Sequence, residues 1–393
     1  MLNLKRAAMK INFKTIVRYY NYAATMLLNI LLFFLLVNIL FFTFFKIKDS
    51  LFGQNVVSEK YGQSLSKVYP GWSEKEINQL LSETWSRNYN YEPFTQFKES
   101  PYQGKYVNVD ENGFRVTKNQ GPWPLAKENF NVFIFGGSTT FGYGLPDEET
   151  IASYMQDYLS EINLESKKVV VYNFGRGNYF STQERILFEQ LLNTNNVPNL
   201  AIFIDGINEF YYNEDKPVFT DLFEKIVGDR TGALKYLSLR ALKMTPIGQA
   251  ADYFGNKIFK DNKSNLEEAY NDPILIDRVI SRYLKNKNLI EAIAKGSNIK
   301  PIFVWQPIPL YKYDLKYHLF AEGGFDRHTY SKYGYPQMAK LNEGGSLGND
   351  FLWCADIQEG IEEPLYLDKV HYTAEMSQKL AKKITELLTE KIY

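Results

Sequence analysis

One cysteine, Cys354, stands in a chain of 393 residues, so no intramolecular disulfide can brace the fold. A domain exported to an oxidising compartment would depend on its hydrophobic core alone. Histidine is nearly as scarce: His318, His328 and His371 are the whole supply of imidazole for acid–base work. Charge of neither sign dominates, because 45 lysines and arginines balance 45 aspartates and glutamates. Nothing in that balance calls for a nucleic-acid partner. Internal repeats and low-complexity tracts are absent as well. Aromatic residues are what the chain has in quantity: 29 tyrosines and 28 phenylalanines together outnumber the 45 acidic residues. Such a composition fits a thick core and equally fits a surface that faces carbohydrate. At this length one large domain, or two moderate ones, can bury a full core.

From Ala23 to Phe45 the sequence carries no charge and is dominated by Leu, Phe, Ile and Val, long enough to cross a bilayer as a helix. Lys5, Arg6, Lys10, Lys14 and Arg18 precede it without an acidic residue. The excess of positive charge on that side puts residues 1–22 in the cytoplasm as a basic tail and everything after Phe45 outside, in the periplasm or the extracellular space. The run exceeds the usual signal-peptide length and no small-x-small site follows it, so residues 23–45 are expected to be an uncleaved signal anchor. An all-apolar circumference argues against a buried soluble helix.

Residues 46–127 are polar and aromatic by turns, with a helix expected at Ser73–Arg87 and Pro or Gly punctuation elsewhere. They are too rich in Tyr, Trp and Phe for a flexible linker and are expected to pack on the domain that follows. The segment Tyr106–Arg115 fits a turn under a sheet and a surface hairpin equally well.

From residue 128 to 393 the pattern changes to strand, polar turn, helix. Val132–Phe135 is an unalternated apolar run of the kind found in strands covered on both faces. Gly136 and Gly137 follow and present Ser138 at the carboxyl end of the strand. An amphipathic helix is expected over Asp147–Asn163, with Asp147, Glu148 and Glu149 loading its first turn. Val169–Tyr172 is a second strand, ending at Gly175-Arg176-Gly177-Asn178. Ser181 and Glu184 have the spacing of a capping box at the start of the next helix. Leu200–Ile204 is a third strand, closed by Asp205-Gly206-Ile207-Asn208-Glu209. Residues 211–272 read as an insertion, a long helix follows over Ile274–Lys295, and Ile302–Trp305 is a fourth strand that Pro307 ends. Pro307–Asn349 looks like loop, Phe351–Cys354 like a fifth strand, and the chain closes with Asp368-Lys369-Val370-His371 and an apolar-striped helix. Repeated βαβ units imply a parallel sheet with helices on both faces.

Ligands collect at the carboxyl ends of strands in such sheets. That rule gathers Ser138, the Gly177-Asn178 turn, Asn208 and the Asp368–His371 loop along one edge. A serine hydroxyl needs a base within reach, and imidazole suits that task near neutrality. His371 alone has a carboxylate, Asp368, three residues before it, close enough to hold the ring. His318 and His328 are assigned to loop or core. A developing oxyanion would find donors in the Ser138 N–H, an N–H from Gly177 or Asn178, and the Asn208 amide. Asp368 and His371 have no third clustered ligand, so neither a metal nor another cofactor is expected. The α/β-hydrolase elbow fits poorly because position 140 is threonine where that motif needs glycine.

These motifs resemble the SGNH hydrolase superfamily, the GDSL-type esterases, over roughly Asn131–Tyr393. Ser138, Asn208, Asp368 and His371 match three of its four blocks in order. The chain has Gly137 where the founding pattern has Asp before the serine, Glu209 where it has Asp after the asparagine, and Asn178 where the oxyanion-hole glycine usually stands. The resemblance implies a three-layer α/β/α, flavodoxin-like fold on a five-stranded parallel sheet, with Ser138 as nucleophile, His371 as base and acid, and Asp368 orienting it. The expected activity is that of a serine ester hydrolase working outside the cytoplasmic membrane. It would remove O-acyl groups, acetyl first among them, from envelope glycans or small esters through an acyl-enzyme. Passing the acyl group to a sugar hydroxyl, or serving as a non-catalytic assembly module, are the alternatives.

Overall fold

The computed structural model describes residues 13–52, 64–162, 164–228, 230–258 and 270–392. Lys5, Arg6 and Lys10, the start of the aromatic lead-in at 53–63, and most of the polar tract 256–265 lie outside the described residues. The chain divides into two compact units, residues 1–54 with 223–264, and residues 55–222 with 265–393.

Helix α1 (Phe13–Phe52) opens the first unit. Its stretch Phe13–Ile47 is long and apolar enough to cross a membrane. It reaches at least ten residues before Ala23 because, once nucleated, a helix adds tyrosine, asparagine and basic residues at little cost.

In the second unit, α2 (Glu74–Trp85) begins at a true capping box, in which Ser73 accepts from the Glu76 N–H and Glu76 accepts from the Ser73 N–H. An antiparallel pair, Tyr89–Glu92 with Gln96–Glu99, and a shorter one, Tyr102–Gln103 with Asn108–Val109, follow. The main sheet then forms from β1 (Phe130–Gly136), β2 (Val169–Asn173), β3 (Leu200–Asp205), β4 (Lys300–Trp305) and β5 (Phe351–Trp353). All neighbours are parallel, in the order β2-β1-β3-β4-β5. This is the flavodoxin-like order, whose switch point lies between the ends of β1 and β3.

Alternate residues along a strand face opposite sides, and here the two sides differ in kind. Phe133, Phe135, Tyr172, Phe203, Phe303 and Trp305 line one face. Val132, Ile134, Val171, Ile202, Ile204 and Val304 line the other. On the aromatic face Phe135 stacks on Phe203 at 4.8 Å and Phe203 on Phe303 at 5.6 Å. Much of the aromatic surplus is therefore core, each ring contributing about 1.5–3 kcal/mol by burial. Helices α3 (Ile151–Ser160) and α10 (Ala374–Ile392) cover the aliphatic face through Ile151, Met155, Met376, Leu380 and Ile384. Helices α4 (Ser181–Asn193), α8 (Pro273–Gly296) and α9 (Tyr330–Glu343) cover the aromatic one through Phe188, Val279 and Met338. Between α4 and α8 lie the short α5 (Ile207–Tyr211) and, in the first unit, α6 (Arg230–Met244) and α7 (Pro246–Ile258).

Local patterns misled at three places. The helix expected from Asp147 starts instead at Ile151, with Thr150 capping the Ser153 N–H. Asp147 has left the helix because its carboxylate is held by Arg115 and Asn108. Ser181 and Glu184 form no capping box: Phe180 is the N-cap residue, and the Ser181 N–H and hydroxyl both donate to Glu209. Within the supposed loop 307–349 runs α9, disguised by its Gly334 and Pro336. Gly334 is there because a Cβ would lie 2.1 Å from the ring of Phe210. Tyr106–Arg115 resolves toward the sheet, since the Arg115 N–H donates to the Asn173 carbonyl at the end of β2.

Candidate active site

Ser138 begins a one-turn helix directly after β1. The two glycines before it leave room for their neighbours: a Cβ on Gly137 would lie 2.3 Å from Asn208 Nδ2, and one on Gly136 2.1 Å from Thr140 Oγ1. Ser138 Oγ is 2.8 Å from His371 Nε2, and His371 Nδ1 is 2.7 Å from Asp368 Oδ2. The other Asp368 oxygen accepts from the N–H groups of Val370 and His371, each at 2.9 Å. Burial would raise the Asp368 carboxyl, but the charge and hydrogen bond of His371 and those two N–H groups outweigh it and hold the carboxyl well below the usual range. Asp368 is thus a fixed anion. The imidazole above it is gripped from two sides, with Tyr143 stacked at 5.5 Å and Trp85 edge-on at 5.6 Å.

Asn208 lies in the first turn of α5 and donates through Nδ2 to the Tyr179 carbonyl at 2.7 Å. The second amide hydrogen of that group remains for another acceptor. The Ser138 N–H, first in its helix, has no intrahelical acceptor. The Gly177 N–H donates to Glu99 Oε1 at 3.2 Å. Gly177 is therefore engaged with the lead-in. Asn178 takes the left-handed conformation at φ 64°, which asparagine tolerates better than most residues, and its side-chain oxygen accepts from the Tyr212 hydroxyl.

Several supporting contacts escaped sequence reasoning. Glu99 also accepts from the Tyr143 hydroxyl at 2.9 Å and pairs with Arg87 at 3.1 Å, so the lead-in braces the ring beside His371. Glu209, fully buried, joins α5 to the first turn of α4 and to Arg282 on α8 at 2.9 Å. His328 lies 4.5 Å from Tyr211, and burial, then the like charge of His371, pushes its pKa down to about 3. His318 stacks on Tyr366 at 5.1 Å, and burial lowers its pKa too. Among the described residues no group of three His, Cys, Asp or Glu side chains is arranged to hold a metal ion.

Beneath the site, burial raises both the Glu184 and the Asp205 carboxyl, and neighbouring acidic groups raise them further. Each carboxyl therefore holds its proton to higher pH in the folded chain than in the unfolded one. The folded state then binds more protons, so stability is full below the unfolded carboxyl range near pH 4 and falls as pH rises above it. Thermal melts of the detergent-solubilised chain should show Tm falling from pH 5.5 to 8.5, with Glu184→Gln flattening the trend. An unchanged slope in that variant would show the proton is held elsewhere.

No family model and no curated protein matches the chain. Solved structures do resemble it. A lipase, Lip_vut3, from a goat rumen metagenome is 12% identical with a TM-score of 0.38, over 66% of this chain and 97% of that one. The psychrotrophic esterase EstA from Pseudoalteromonas sp. is 11% identical with a TM-score of 0.34, over 67% and 99%. Est24, a carbohydrate acetylesterase from Sinorhizobium meliloti, is 13% identical with a TM-score of 0.34, over 66% and 98%.

Proposed function

We propose that the chain is a membrane-anchored serine ester hydrolase of the SGNH type, with its catalytic unit outside the cytoplasmic membrane. The observation that carries this reading is the unbroken hydrogen-bonded relay from Ser138 through His371 to Asp368. In the proposed cycle His371 Nε2 takes the Ser138 proton as Oγ attacks the acyl carbon. The resulting oxyanion accepts from the Ser138 N–H, the Asn208 amide and the Asn178 turn. Collapse of the intermediate passes the proton from His371 to the departing alkoxide and leaves an acyl-serine. Water, deprotonated by the same imidazole, then releases the carboxylic acid.

The preferred substrate class is an O-acylated glycan of the cell envelope, with acetyl as the acyl group. Supporting it is a cavity of about 250 Å³ beside Asn178, lined by Tyr211, Tyr212, Glu214, Lys216 and Arg327. Aromatic edges with mixed charged and amide groups suit a ring bearing many hydroxyls. The same cavity would seat an acceptor if a sugar hydroxyl replaced water in the second step, making the protein an O-acyltransferase.

The detergent-solubilised chain should turn over an activated acetyl ester, and Asn208→Ala should lower kcat by about 10²–10³-fold with a smaller change in KM. Equal kcat in both proteins would remove Asn208 from the oxyanion site. Adding an oligosaccharide acceptor and comparing acyl sugar with free acid decides between transfer and hydrolysis; acyl sugar as the main product would overturn the hydrolase reading.

A further inference from the structure

We infer that α6 and α7 form a second membrane-contacting element, seated in the outer leaflet beside α1. This rests on the reading of α1 as a membrane span with its carboxyl end outside. Nearly all described side chains of α1 are exposed, and the half-buried exceptions are Val37, Asn38, Phe41 and Phe45. That three-four spacing marks one stripe along the helix. The stripe is where α7 lies: the Ile247 N–H donates to Asn38 Oδ1 at 3.2 Å, and Tyr253 meets Phe45 edge-on at 6.3 Å. The two contacts advance together along both helices, so α7 runs beside the outer part of α1.

Chemistry at the corner between α6 and α7 suits an apolar surrounding. The first N–H groups of a helix lack acceptors, and in lipid such groups must find partners within the protein. Asn38 supplies one to Ile247, and Thr245 supplies others, its carbonyl to the Gln249 N–H and its hydroxyl to the Gly248 N–H. Small residues permit the close approach, since a Cβ on Gly248 would lie 2.2 Å from the Leu242 carbonyl oxygen and Ala250 is buried. Asn38 is seven residues inward from Phe45, about 10 Å along the helix. That is the depth an interfacial helix reaches.

The outer surface of α6 completes the case. Leu234, Leu237, Leu239, Leu242 and Met244 are between 49% and 71% exposed, an apolar display that water would not favour. Lys235, Arg240 and Lys243 lie among them with no acidic residue in the helix. Long basic stems over an apolar surface, heads at the phosphates, are the pattern of helices that lie in a bilayer interface. Helix α6 packs on α7 and α7 on α1 within one compact unit, so this apolar, basic face belongs to the unit that carries the span, and lipid is the occupant.

The test uses the full chain in phosphatidylcholine–phosphatidylglycerol vesicles, carrying a nitroxide at one introduced cysteine at a time; Cys354 is buried and stays unlabelled. Leu35→Cys reports α1, Leu237→Cys and separately Leu242→Cys report α6, and Glu161→Cys reports an exposed position of the other unit. Spin relaxation is compared for oxygen, which enters lipid, and a nickel chelate, which does not. The oxygen-to-nickel ratio at positions 237 and 242 is expected to follow that at 35, severalfold above that at 161. Positions 237 and 242 behaving like 161 while 35 reports lipid would overturn this inference alone. Aqueous behaviour at 35 as well would overturn the anchor itself. Protection from both reagents at 237 and 242 would mean that protein, and not lipid, covers α6, and would also overturn the inference.

Discussion

Replacing Ser138 by alanine should lower kcat/KM for an activated acetyl ester by at least about 10³-fold, with Tm almost unchanged. The size follows from what is lost. Without Oγ there is no acyl-enzyme, and what remains is whatever the oxyanion donors and substrate binding achieve with water as nucleophile. The small structural cost follows from the site: Ser138 is half-buried and its hydroxyl has His371 as its partner, a single hydrogen bond of about 1 kcal/mol. Activity and stability therefore separate in this variant. Turnover equal to that of the native chain would assign the activity to a different site.

Arg115 should show the opposite profile. Its guanidinium is fully buried and donates to Asp147 at 2.9 Å, to the Phe141 and Gly142 carbonyls at 2.9 and 2.6 Å, and to the Leu145 carbonyl at 2.5 Å. The four acceptors run from Phe141, the last residue of the Ser138 helix, to Asp147 in the segment that follows it. Removing the cation leaves the buried Asp147 carboxylate without its counter-charge and the Phe141 and Leu145 carbonyls without the guanidinium donor, a loss of about 3–5 kcal/mol. For a unit of this size Arg115→Met should lower Tm by roughly 10 °C. Arg115→Lys should rescue little of it, because a single ammonium cannot span the fork that the planar guanidinium fills. A lysine variant melting with the native chain would show that charge alone matters there and that the fork does not.

Arg115 also illustrates where the sequence is opaque. The strands, their order of appearance and the polar turns behind them are local signals, so β1 to β5 and the residues at their ends could be read from periodicity and glycine placement. Ser138, Asn208, Asp368 and His371 stood out for the same reason, since each follows a strand or sits in a short fixed spacing. Nothing local announces that Arg115 will meet Asp147, or that Glu99 will take the Gly177 N–H, because those bonds join segments 32 and 78 residues apart. Such bonds also explain the misplaced elements. Asp147 looked like a helix-starting acid and Ser181 like half of a capping box, yet each had a stronger partner elsewhere in the fold. Helix α9 was hidden because its composition answers to the ring of Phe210 more than to helix propensity.

The most direct test of the central claim is covalent labelling with a serine-directed fluorophosphonate, read by mass spectrometry of the digested full chain. The account predicts one adduct per chain, on the peptide containing Ser138, lost in Ser138→Ala and slowed severely in His371→Ala. An adduct on any other serine, or equal labelling rates with and without the His371 imidazole, would contradict it.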